Sequence, residues 1–472
     1  MRSLIWFRSD LRCNDNTALD EAARRSTRGV VAAFAVTPRQ WLDLHHWSAS
    51  KLSLVLRSVS DLSEQLATRN IALRIITQPD FAALPKALLD LARSTECDAL
   101  FFNREYEWNE RQRDALVSKA FLDAGLAAHS FTDRTLFEPG QIRTKSGTHY
   151  TVYSPFKRAA HTLLAEGLPT LRSTPKKRAE MVSTPDPVPN PHDLAAAQPH
   201  DALWPEGEAH VRARLDRFAQ DALSHYHARR DLLAEPGTST LSPYLAIGAI
   251  SIRRCAAVAL DMIGPDIDKG PPGPTTWLSE LLWREFYTHV LFNFPRVSKG
   301  LPFRLDTQHI NWDHNPDHLA AWKAGRTGYP IVDAAMRQLL ATGWMHNRAR
   351  MIAAMFLTKD LGLDWRLGEQ HFMQHLVDGD LANNNGGWQW SASTGTDAQP
   401  YFRIFNPITQ SQRFDPQGHY IRRYVHEIAH LDDHAIHDPS SLGLAAAALD
   451  YPPPIVDHAA ARARTLARFT VS

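Results

Sequence analysis

The stretch from Asp378 to Pro407 carries the side chains of this sequence that are best suited to holding a flat ring. Five of its side-chain amides accompany two tryptophans that stand two positions apart, Trp388 and Trp390. Buried amides cost free energy unless each finds a polar partner, so packing alone does not favour this mixture. The mixture favours a site for a heteroaromatic ring that needs both hydrogen bonds and stacking. The five amides belong to Asn383, Asn384, Asn385, Gln389 and Gln399.

Two predicted helices repeat one design, in which aromatic and polar side chains share a face at the spacing i, i+3, i+4, i+7. An ordinary amphipathic helix with a solvated polar face is the alternative for both. Large aromatics on such a face usually mark a binding surface, which counts against the alternative in the first helix. The first face consists of Glu280, Trp283, Arg284 and Tyr287. The second face consists of Trp344, Asn347, Arg348 and Met351.

The order of these residues resembles that of DNA photolyases and cryptochromes, and most of all the bacterial class I photolyases that split cyclobutane pyrimidine dimers. The resemblance covers nearly the whole chain and is densest from Trp277 to Pro407. It implies a carbon–carbon lyase of DNA repair, in which reduced FAD excited by blue light passes one electron to a flipped-out dimer and takes it back. A cryptochrome-like photoreceptor without repair activity is the alternative. Such a protein would be expected to carry a long C-terminal extension, for which residues 449–472 leave little room.

The resemblance implies a set of FAD-binding residues. The segment 237–242 has the small hydroxyls and backbone N–H groups that suit phosphates and ribose. Relatives often carry arginine where Thr240 stands, so one charged phosphate contact is in question. Asp378 and Arg350 resemble the family's ion pair beside the ring, and Asn384 resembles the residue that faces flavin N5. The implied set is Tyr226, Thr238, Ser239, Thr240, Leu241, Ser242, Trp277, Arg350, Asp378, Gly379, Asp380 and Asn384.

The resemblance also implies a pocket for the dimer within single- or double-stranded DNA. Trp283 and Trp390 would stack on the dimer, whereas Glu280 and Asn347 would hydrogen-bond its base edges. Relatives that act on (6-4) photoproducts use a histidine pair here, so Asn347 and Met351 predict cyclobutane dimers instead. The implied DNA-binding set is Arg230, Glu280, Trp283, Arg284, Tyr287, Asn347, Arg348, Met351, Trp390 and Gln410.

Three tryptophans match the family's electron-transfer chain between flavin and surface, although core packing is the alternative for any single tryptophan. They are Trp388, Trp365 and Trp312. With Glu280 and Asn384 they make up the implied catalytic set.

An antenna pigment of the 5,10-methenyltetrahydrofolate type is implied by four residues: His45, Asn109, Glu110 and Lys299. A carboxylate at Glu110 could accept hydrogen bonds from a pterin edge. The alternative for Glu110 is an acid favoured by the dipole in the first turn of a helix. The match leaves open whether His45 or His46 takes part.

Composition is that of an ordinary globular chain of more than one domain, with 472 residues of which 44% are hydrophobic and 22% charged. The net charge of +1 gives no global sign of DNA binding, so charge must be judged locally. Residues 338–358 lack acids and include Arg348 and Arg350, which could follow a phosphate backbone. The alternative is a buried helix whose arginines pair with distant carboxylates.

Cysteine use and hydropathy predict a cytoplasmic protein, and the resemblance implies one of bacterial type that is associated with the nucleoid through DNA. The three cysteines, Cys13, Cys97 and Cys255, form no CxxC motif and are expected to be inert reduced thiols. No run of 18 apolar residues predicts a membrane helix, and the first residues lack a secretory core. We further expect a monomer without a metal.

The N-terminal third predicts a parallel sheet covered by helices, from apolar runs at 3–7, 30–36, 71–77 and 99–103. Helical stretches follow three of these runs, near 48–67, 82–93 and 110–124. No GxGxxG follows the first run, which makes a conventional dinucleotide site unlikely there. Residues 144–156 predict a hairpin with a Ser-Gly turn.

Seven prolines between Thr174 and Pro205 predict an extended connector. Beyond it strand signals vanish and helical spacing recurs. The sequence therefore predicts an α/β domain with a Rossmann-like sheet at 1–135, a connector at 136–205, and a larger all-α domain at 206–472. The resemblance implies that the first domain binds the antenna and that the last binds FAD and DNA. The predicted helices lie near 208–233, 243–260, 275–293, 317–325, 329–342, 345–359, 366–376 and 416–430.

Overall fold

The computed structural model describes residues 1–195 and 200–470, in two compact units. The first unit comprises Met1–Ser224, Ser239–Pro295 and Val377–Ala382. The second unit comprises His225–Thr238, Arg296–Leu376 and Asn383–Ser472. This division differs from the predicted ranges 1–135, 136–205 and 206–472, since residues 239–295 pack with the first unit. Those ranges stay a prediction about functional domains.

A five-stranded parallel sheet organises the first unit, in the strand order β3-β2-β1-β4-β5. Every residue of β1, β2 and β4 is buried, as expected for parallel strands covered on both faces. The four predicted strands are present, whereas β5 was missed because its short sequence AAHSF is only partly buried. The strands are β1 Ser3–Phe7, β2 Val30–Val36, β3 Ala72–Thr77, β4 Ala99–Asn103 and β5 Ala127–Phe131.

Helices make up most of the remaining regular structure, and beyond residue 205 the described residues form helices without strands. The α-helices are α1 Thr17–Arg25, α2 Ala49–Ala67, α3 Leu84–Ser94, α4 Trp108–Asp123, α5 Tyr153–Glu166, α6 Pro191–Leu194, α7 Glu208–Asp221, α8 Tyr226–Arg229, α9 Ser242–Ala246, α10 Ile252–Ile263, α11 Pro272–Asn293, α12 Pro295–Ser298, α13 Pro316–Ala324, α14 Pro330–Thr342, α15 Asn347–Met355, α16 Trp365–His375, α17 Leu381–Ala392, α18 Pro407–Phe414, α19 His419–Tyr424 and α20 His458–Thr470. Short π-helical turns occupy Gln40–Leu44 and Phe356–Asp360. The 3-10 segments are Phe81–Ala83, Asp201–Leu203, Leu223–His225, Ile267–Lys269, Leu305–Thr307, His426–Ile428, Ala435–His437 and Pro439–Ala448.

Two local predictions were wrong. The predicted hairpin at 144–156 is reduced to one antiparallel bridge between Arg143 and His149, and α5 begins at Tyr153. Pro155 lies in the first turn of α5, where a proline is tolerated, whereas it would interrupt a strand ladder. The predicted connector at 136–205 contains α5, α6 and the 3-10 segment Asp201–Leu203. Helix α6 forms because Asn190 caps it and Pro191 takes its first position. Residues 196–199 of the connector lie outside the described residues.

Each unit has its own hydrophobic core. In the first unit, side chains such as Leu4, Val31 and Phe121 fill the space between the sheet and its helices. In the second unit, Trp322, Trp365 and Trp388 belong to one large buried cluster. The three cysteines are unpaired and buried, and burial raises the pKa of Cys13 and of Cys255 to about 12. The thiol form is therefore favoured at these positions.

Two features are absent from residues 1–195 and 200–470. No helix in these ranges is long and apolar enough to cross a membrane. Within the same ranges, no three His, Cys, Asp or Glu side chains are grouped so that they could hold a metal ion.

Candidate functional site

Helix α11 in the first unit has the two faces that its sequence predicts. Leu278, Leu281, Leu282 and Phe286 are buried, and the four side chains of the predicted binding face are partly exposed. The helix begins at Pro272, three residues before the predicted start at 275. Trp277 is buried one turn before Glu280, with its ring 5.1 Å from that of Phe218.

The ring of Trp283 is held in one orientation by stacking against a neighbouring tyrosine. Its ring stacks on Tyr153 of α5, with 3.7 Å between ring centres and 13° between planes. The Tyr153 hydroxyl in turn donates to the backbone oxygen of Ser279 at 2.5 Å, which anchors the tyrosine to α11. Tyr287 lies 5.5 Å from Trp283 on the same face. The plane of the indole is thus set within the first unit, as a stacking surface requires.

Arg284, which was predicted to bind DNA, has an internal role in the structure. Its Nη1 donates to the backbone oxygen of Arg134 at 2.8 Å, and burial lowers the pKa of its guanidinium. The neighbouring Glu285 is fully buried and accepts the N–H groups of Leu136 and Phe137 at 3.0 and 2.9 Å. These bonds fix α11 against the chain that follows β5, a role that sequence spacing did not reveal.

Residues 239–242 lead into α9 through an unusual backbone at Thr240. Its φ of 49° lies in the left-handed region, which is a genuine outlier for a β-branched residue. The Thr240 hydroxyl donates to the backbone oxygen of Ser239 at 2.8 Å. It also accepts a hydrogen bond from the guanidinium of Arg214 on α7, a residue absent from the predicted set.

The segment 378–380 is tied to the N-terminal part of the first unit. The backbone oxygen of Gly379 accepts from Lys51 Nζ at 2.6 Å, and Asp380 lies 3.4 Å from the guanidinium of Arg134. Burial lowers the pKa of Lys51 to about 8, against the opposing effect of Asp380. Asp378 and Gly379 are buried. The pairing of Asp378 with Arg350 stays a prediction.

Helix α17 fixes the orientation of the Asn384 amide. Its Nδ2 donates to the backbone oxygen of Glu369 at 2.9 Å and to the Glu369 carboxyl at 3.2 Å. The amide oxygen is therefore the atom that remains to accept a hydrogen bond. Burial raises the pKa of Glu369 to about 7. Gln389, by contrast, bonds Phe303 N at 2.7 Å and Asn385 Oδ1 at 2.8 Å, so this part of the amide-rich run serves the fold.

The three predicted redox tryptophans all lie in the second unit. Trp388 and Trp365 are 2% and 1% exposed, and Trp312 is partly exposed. Within the described residues, Trp388 Nε1 is buried without a hydrogen-bond partner. The ring of Trp388 lies 4.9 Å from Phe372 and 6.0 Å from Trp322.

Helix α15 begins at Asn347 with His346 as its N-cap, so Trp344 lies before the helix and the predicted four-residue face is shorter. Asn347 is exposed, and its Nδ2 lies 3.9 Å from the Met351 sulfur one turn on. The α17 residue Trp390 and the α18 residue Gln410 are both half-buried.

One carboxylate joins two of the predicted DNA-binding arginines. Arg348 donates Nε and Nη2 to Asp231 at 3.3 and 2.9 Å and lies 4.4 Å from the ring of Phe414. Arg230 lies 3.8 Å from the same carboxylate and 5.6 Å from the ring of Tyr226. For residues 338–358, the sequence leaves open that arginines pair with distant carboxylates. The pairing of Arg348 with Asp231 agrees with that alternative. Sequence reasoning missed Asp231 because 117 positions separate it from Arg348.

The predicted antenna residues of the first unit meet in one cluster. His45 Nδ1 lies 3.6 Å from Glu110 Oε1, and His45 Nε2 lies 3.4 Å from the Asn109 amide. Burial raises the pKa of Glu110 to about 8 and lowers that of His45 to about 4, so both are neutral at pH 7. His45, one of the two candidate histidines, thus meets Glu110 in the structure. Lys299 is exposed and follows α12 in the second unit.

Comparison with protein families gives two matches along the chain. Residues 3–176 match the DNA photolyase family, and residues 277–471 match the FAD binding domain of DNA photolyase. The chain is 43% identical to the deoxyribodipyrimidine photo-lyase of Escherichia coli and 44% identical to that of Salmonella typhimurium. Both similarities cover 99% of this chain and 98% of the relative.

Solved structures of the same kind are similar over the full chain. A bacterial class III photolyase from Agrobacterium tumefaciens has a TM-score of 0.85 at 35% identity, over 100% of this chain and 97% of that one. A photolyase from Sulfolobus tokodaii with two FAD molecules has a TM-score of 0.83 at 29% identity, over 100% of both chains. A Synechocystis cryptochrome has a TM-score of 0.86 at 27% identity, over 100% of this chain and 99% of that one. The predicted fold class, an α/β N-terminal part followed by a larger helical part, is confirmed.

Proposed function

Because this chain belongs to the photolyase/cryptochrome family, we propose that it is a deoxyribodipyrimidine photo-lyase that repairs cyclobutane pyrimidine dimers in light. FAD is the cofactor. When bound, reduced FAD excited by blue light would supply one electron reversibly, so the ring opening would proceed without net redox change and the enzyme would be a lyase.

The Asn384 amide fits this cofactor. Both of its described hydrogen bonds are donated by Nδ2 to Glu369, so its oxygen can accept from an N–H group at flavin N5. A neutral acceptor there neither cancels nor repels the negative charge of a reduced ring. The remaining residues proposed to hold FAD are Tyr226, Thr238, Ser239, Thr240, Leu241, Ser242, Trp277, Arg350, Asp378, Gly379 and Asp380.

The observation that supports a dimer substrate best is Trp283, whose ring stands fixed against Tyr153 on the face that also carries Glu280. A preset aromatic plane offers stacking to an unstacked base with little loss of side-chain freedom. Enzymes that act on a base inside a duplex extrude it first, and photolyases are among them. Glu280 and Asn347 supply hydrogen bonds to the base edges in this proposal, and Trp390 supplies the second stacking surface.

Electron supply to an oxidised cofactor is assigned to Trp388, Trp365 and Trp312. Trp388 is buried, which suits the inner end of such a chain. The partial exposure of Trp312 suits the surface end of such a chain.

The proposal extends to pigment, partner and place. We assign a methenyltetrahydrofolate antenna to His45, Asn109, Glu110 and Lys299. The proposed partner is single- or double-stranded DNA that contains dimers. Because the protein is proposed to be of bacterial type, it would act on this DNA in the cytoplasm, at the nucleoid. The enzyme is proposed to act as a monomer.

The test is loss of thymine dimers from irradiated DNA with and without blue light, for the wild type and for Trp283→Ala. Repair should require light. Trp283→Ala should weaken binding of dimer-containing DNA about 5- to 150-fold, because stacking is worth roughly 1–3 kcal/mol per base. Binding of undamaged duplex should barely change. If light removes (6-4) products but not cyclobutane dimers, the proposed substrate is wrong. If light removes neither lesion, the result favours a photoreceptor without repair activity.

A further inference from the structure

Arg214 on α7 is a half-buried arginine without an acidic partner. Among residues 1–195 and 200–470, no carboxylate forms an ion pair with it, and its Nε is buried without a hydrogen-bond partner. Its guanidinium donates to Thr240 Oγ1 and lies 5.7 Å from the ring of Tyr244. Buried charges are normally paired, so a positive charge held in this way points to an anionic ligand.

Thr240 supplies a second, independent observation. A β-branched residue with a φ of 49° is strained, and such strain persists where the surrounding structure and the function require it. The hydroxyl held in this conformation accepts from Arg214 and donates to the backbone oxygen of Ser239. Thr240 therefore links Arg214 to residues 239–242, the segment proposed for the phosphates and ribose of FAD.

We propose that Arg214 supplies the positive charge that binds the diphosphate of FAD. It would replace, from α7, the arginine that photolyases often carry at the position of Thr240. A guanidinium has five N–H donors, so the bond to Thr240 leaves several for phosphate oxygens. The Thr240 hydroxyl acts as a positioning group that holds the guanidinium towards the segment. The inference rests on the proposed function, since it takes FAD as the ligand.

The test measures release of FAD from the purified holoprotein by flavin fluorescence at several salt concentrations. Arg214→Gln should bind FAD about tenfold to hundredfold more weakly, in line with loss of a charge-assisted hydrogen bond. The affinity of the variant should also depend less on salt, because one charge on the protein is gone. Arg214→Lys should retain part of the affinity, since the charge remains.

A reciprocal swap separates phosphate binding from a structural role. Arg214→Gln combined with Thr240→Arg should recover most of the lost affinity, because the charge returns from the position that relatives use. Arg212→Gln, on the same helix and paired with Glu208 at 3.9 Å, is the matched control and should release FAD as the wild type does. Circular dichroism of each variant checks the fold.

The outcomes distinguish this inference from the function on which it rests. If Arg214→Gln holds FAD with unchanged affinity and salt dependence, or if the swap restores nothing, Arg214 does not bind the diphosphate and the photolyase function still stands. If the wild-type protein itself binds no FAD, the proposed function fails together with the inference.

Discussion

Asp231 sets the charge that two predicted DNA-binding arginines present. Its carboxylate engages Nε and Nη2 of Arg348, and Arg230 lies within 4 Å of it. A carboxylate on a DNA-binding face repels phosphate and competes for the guanidinium. This repulsion lowers the affinity for damaged and undamaged DNA alike. Tight binding then depends on contacts that only the lesion supplies.

Asp231→Asn should therefore bind undamaged DNA more tightly, by about fivefold at low salt for roughly 1 kcal/mol of relieved repulsion. The slope of log K against log salt should steepen by about one phosphate equivalent. Gel-shift titrations with damaged and undamaged duplexes measure both effects. Glu427→Gln is the control, because it removes the carboxylate that Arg337 engages at 2.7 Å within the same unit. Weaker binding of both DNAs by Asp231→Asn would instead mean that Asp231 positions Arg348.

Glu369 should make stability depend on pH. Burial raises its pKa from 4.5 to about 7, so between these values the folded protein binds more protons than the unfolded chain. The contribution of Glu369 to the free energy of unfolding is fully present below about pH 4.5, and it is lost as pH rises through 7. The loss between pH 5 and 8 is roughly 1–3 kcal/mol. Glu369→Gln cannot ionise, so its melting temperature should fall less over that interval. Parallel pH profiles for both proteins would contradict the raised pKa.

At the scale of elements, α16 and α17 meet through a glycine. A Cβ on Gly368 would lie 2.0 Å from Cη2 of Trp388, and Trp388 is itself enclosed by Phe372 and Trp322. Only glycine lets the helix approach this closely to the ring that is proposed to donate first to an oxidised cofactor.

Gly368→Ala should therefore destabilise the protein by about 1–3 kcal/mol, the range for overpacking a core, and should displace the Trp388 ring. Gly387→Ala on α17 is the matched control, because its Cβ would meet nothing within 4 Å. A helical alanine there should raise stability by roughly 0.5–1 kcal/mol. Thermal unfolding measures both changes, and photoreduction of oxidised flavin should slow in Gly368→Ala alone. Equal stability of the two variants would contradict the close approach.

The sequence predicted what one element can determine by itself. Four strands, and the division of α11 into a buried face and a partly exposed face, follow from apolar runs and helical spacing. Helix α17 was not predicted because Asn383–Gly387 has poor helix propensity, which packing around Trp388 overrides. Helix α18 had recognisable signals, since Asn406 is its N-cap and Pro407 its first residue. Arg214, Asp231 and Glu369 were missed because their partners lie on other elements, and spacing along a chain does not reveal such contacts.

At the scale of the whole molecule, the proposed antenna site and the proposed catalytic site have separate tasks. The cluster of His45, Asn109 and Glu110 lies in the first unit and is uncharged at neutral pH by the burial of its members. A protonated carboxyl can both donate to and accept from the edge of a pterin, which a carboxylate cannot. Binding of a folate antenna should therefore weaken as pH rises through about 8.

The amide of Glu110→Gln resembles the protonated acid but cannot ionise. This variant should therefore bind a folate at pH 7 and should still bind it above pH 8. Glu110→Ala should lose the pigment at pH 7 and also above pH 8. Near-ultraviolet absorbance beyond that of the flavin measures the pigment after reconstitution with methenyltetrahydrofolate. Repair in dim near-ultraviolet light should fall with the pigment, whereas repair under saturating light should persist because FAD also absorbs directly. A deazaflavin or second-flavin spectrum, or folate retained equally by Glu110→Ala, would assign a different antenna to this cluster.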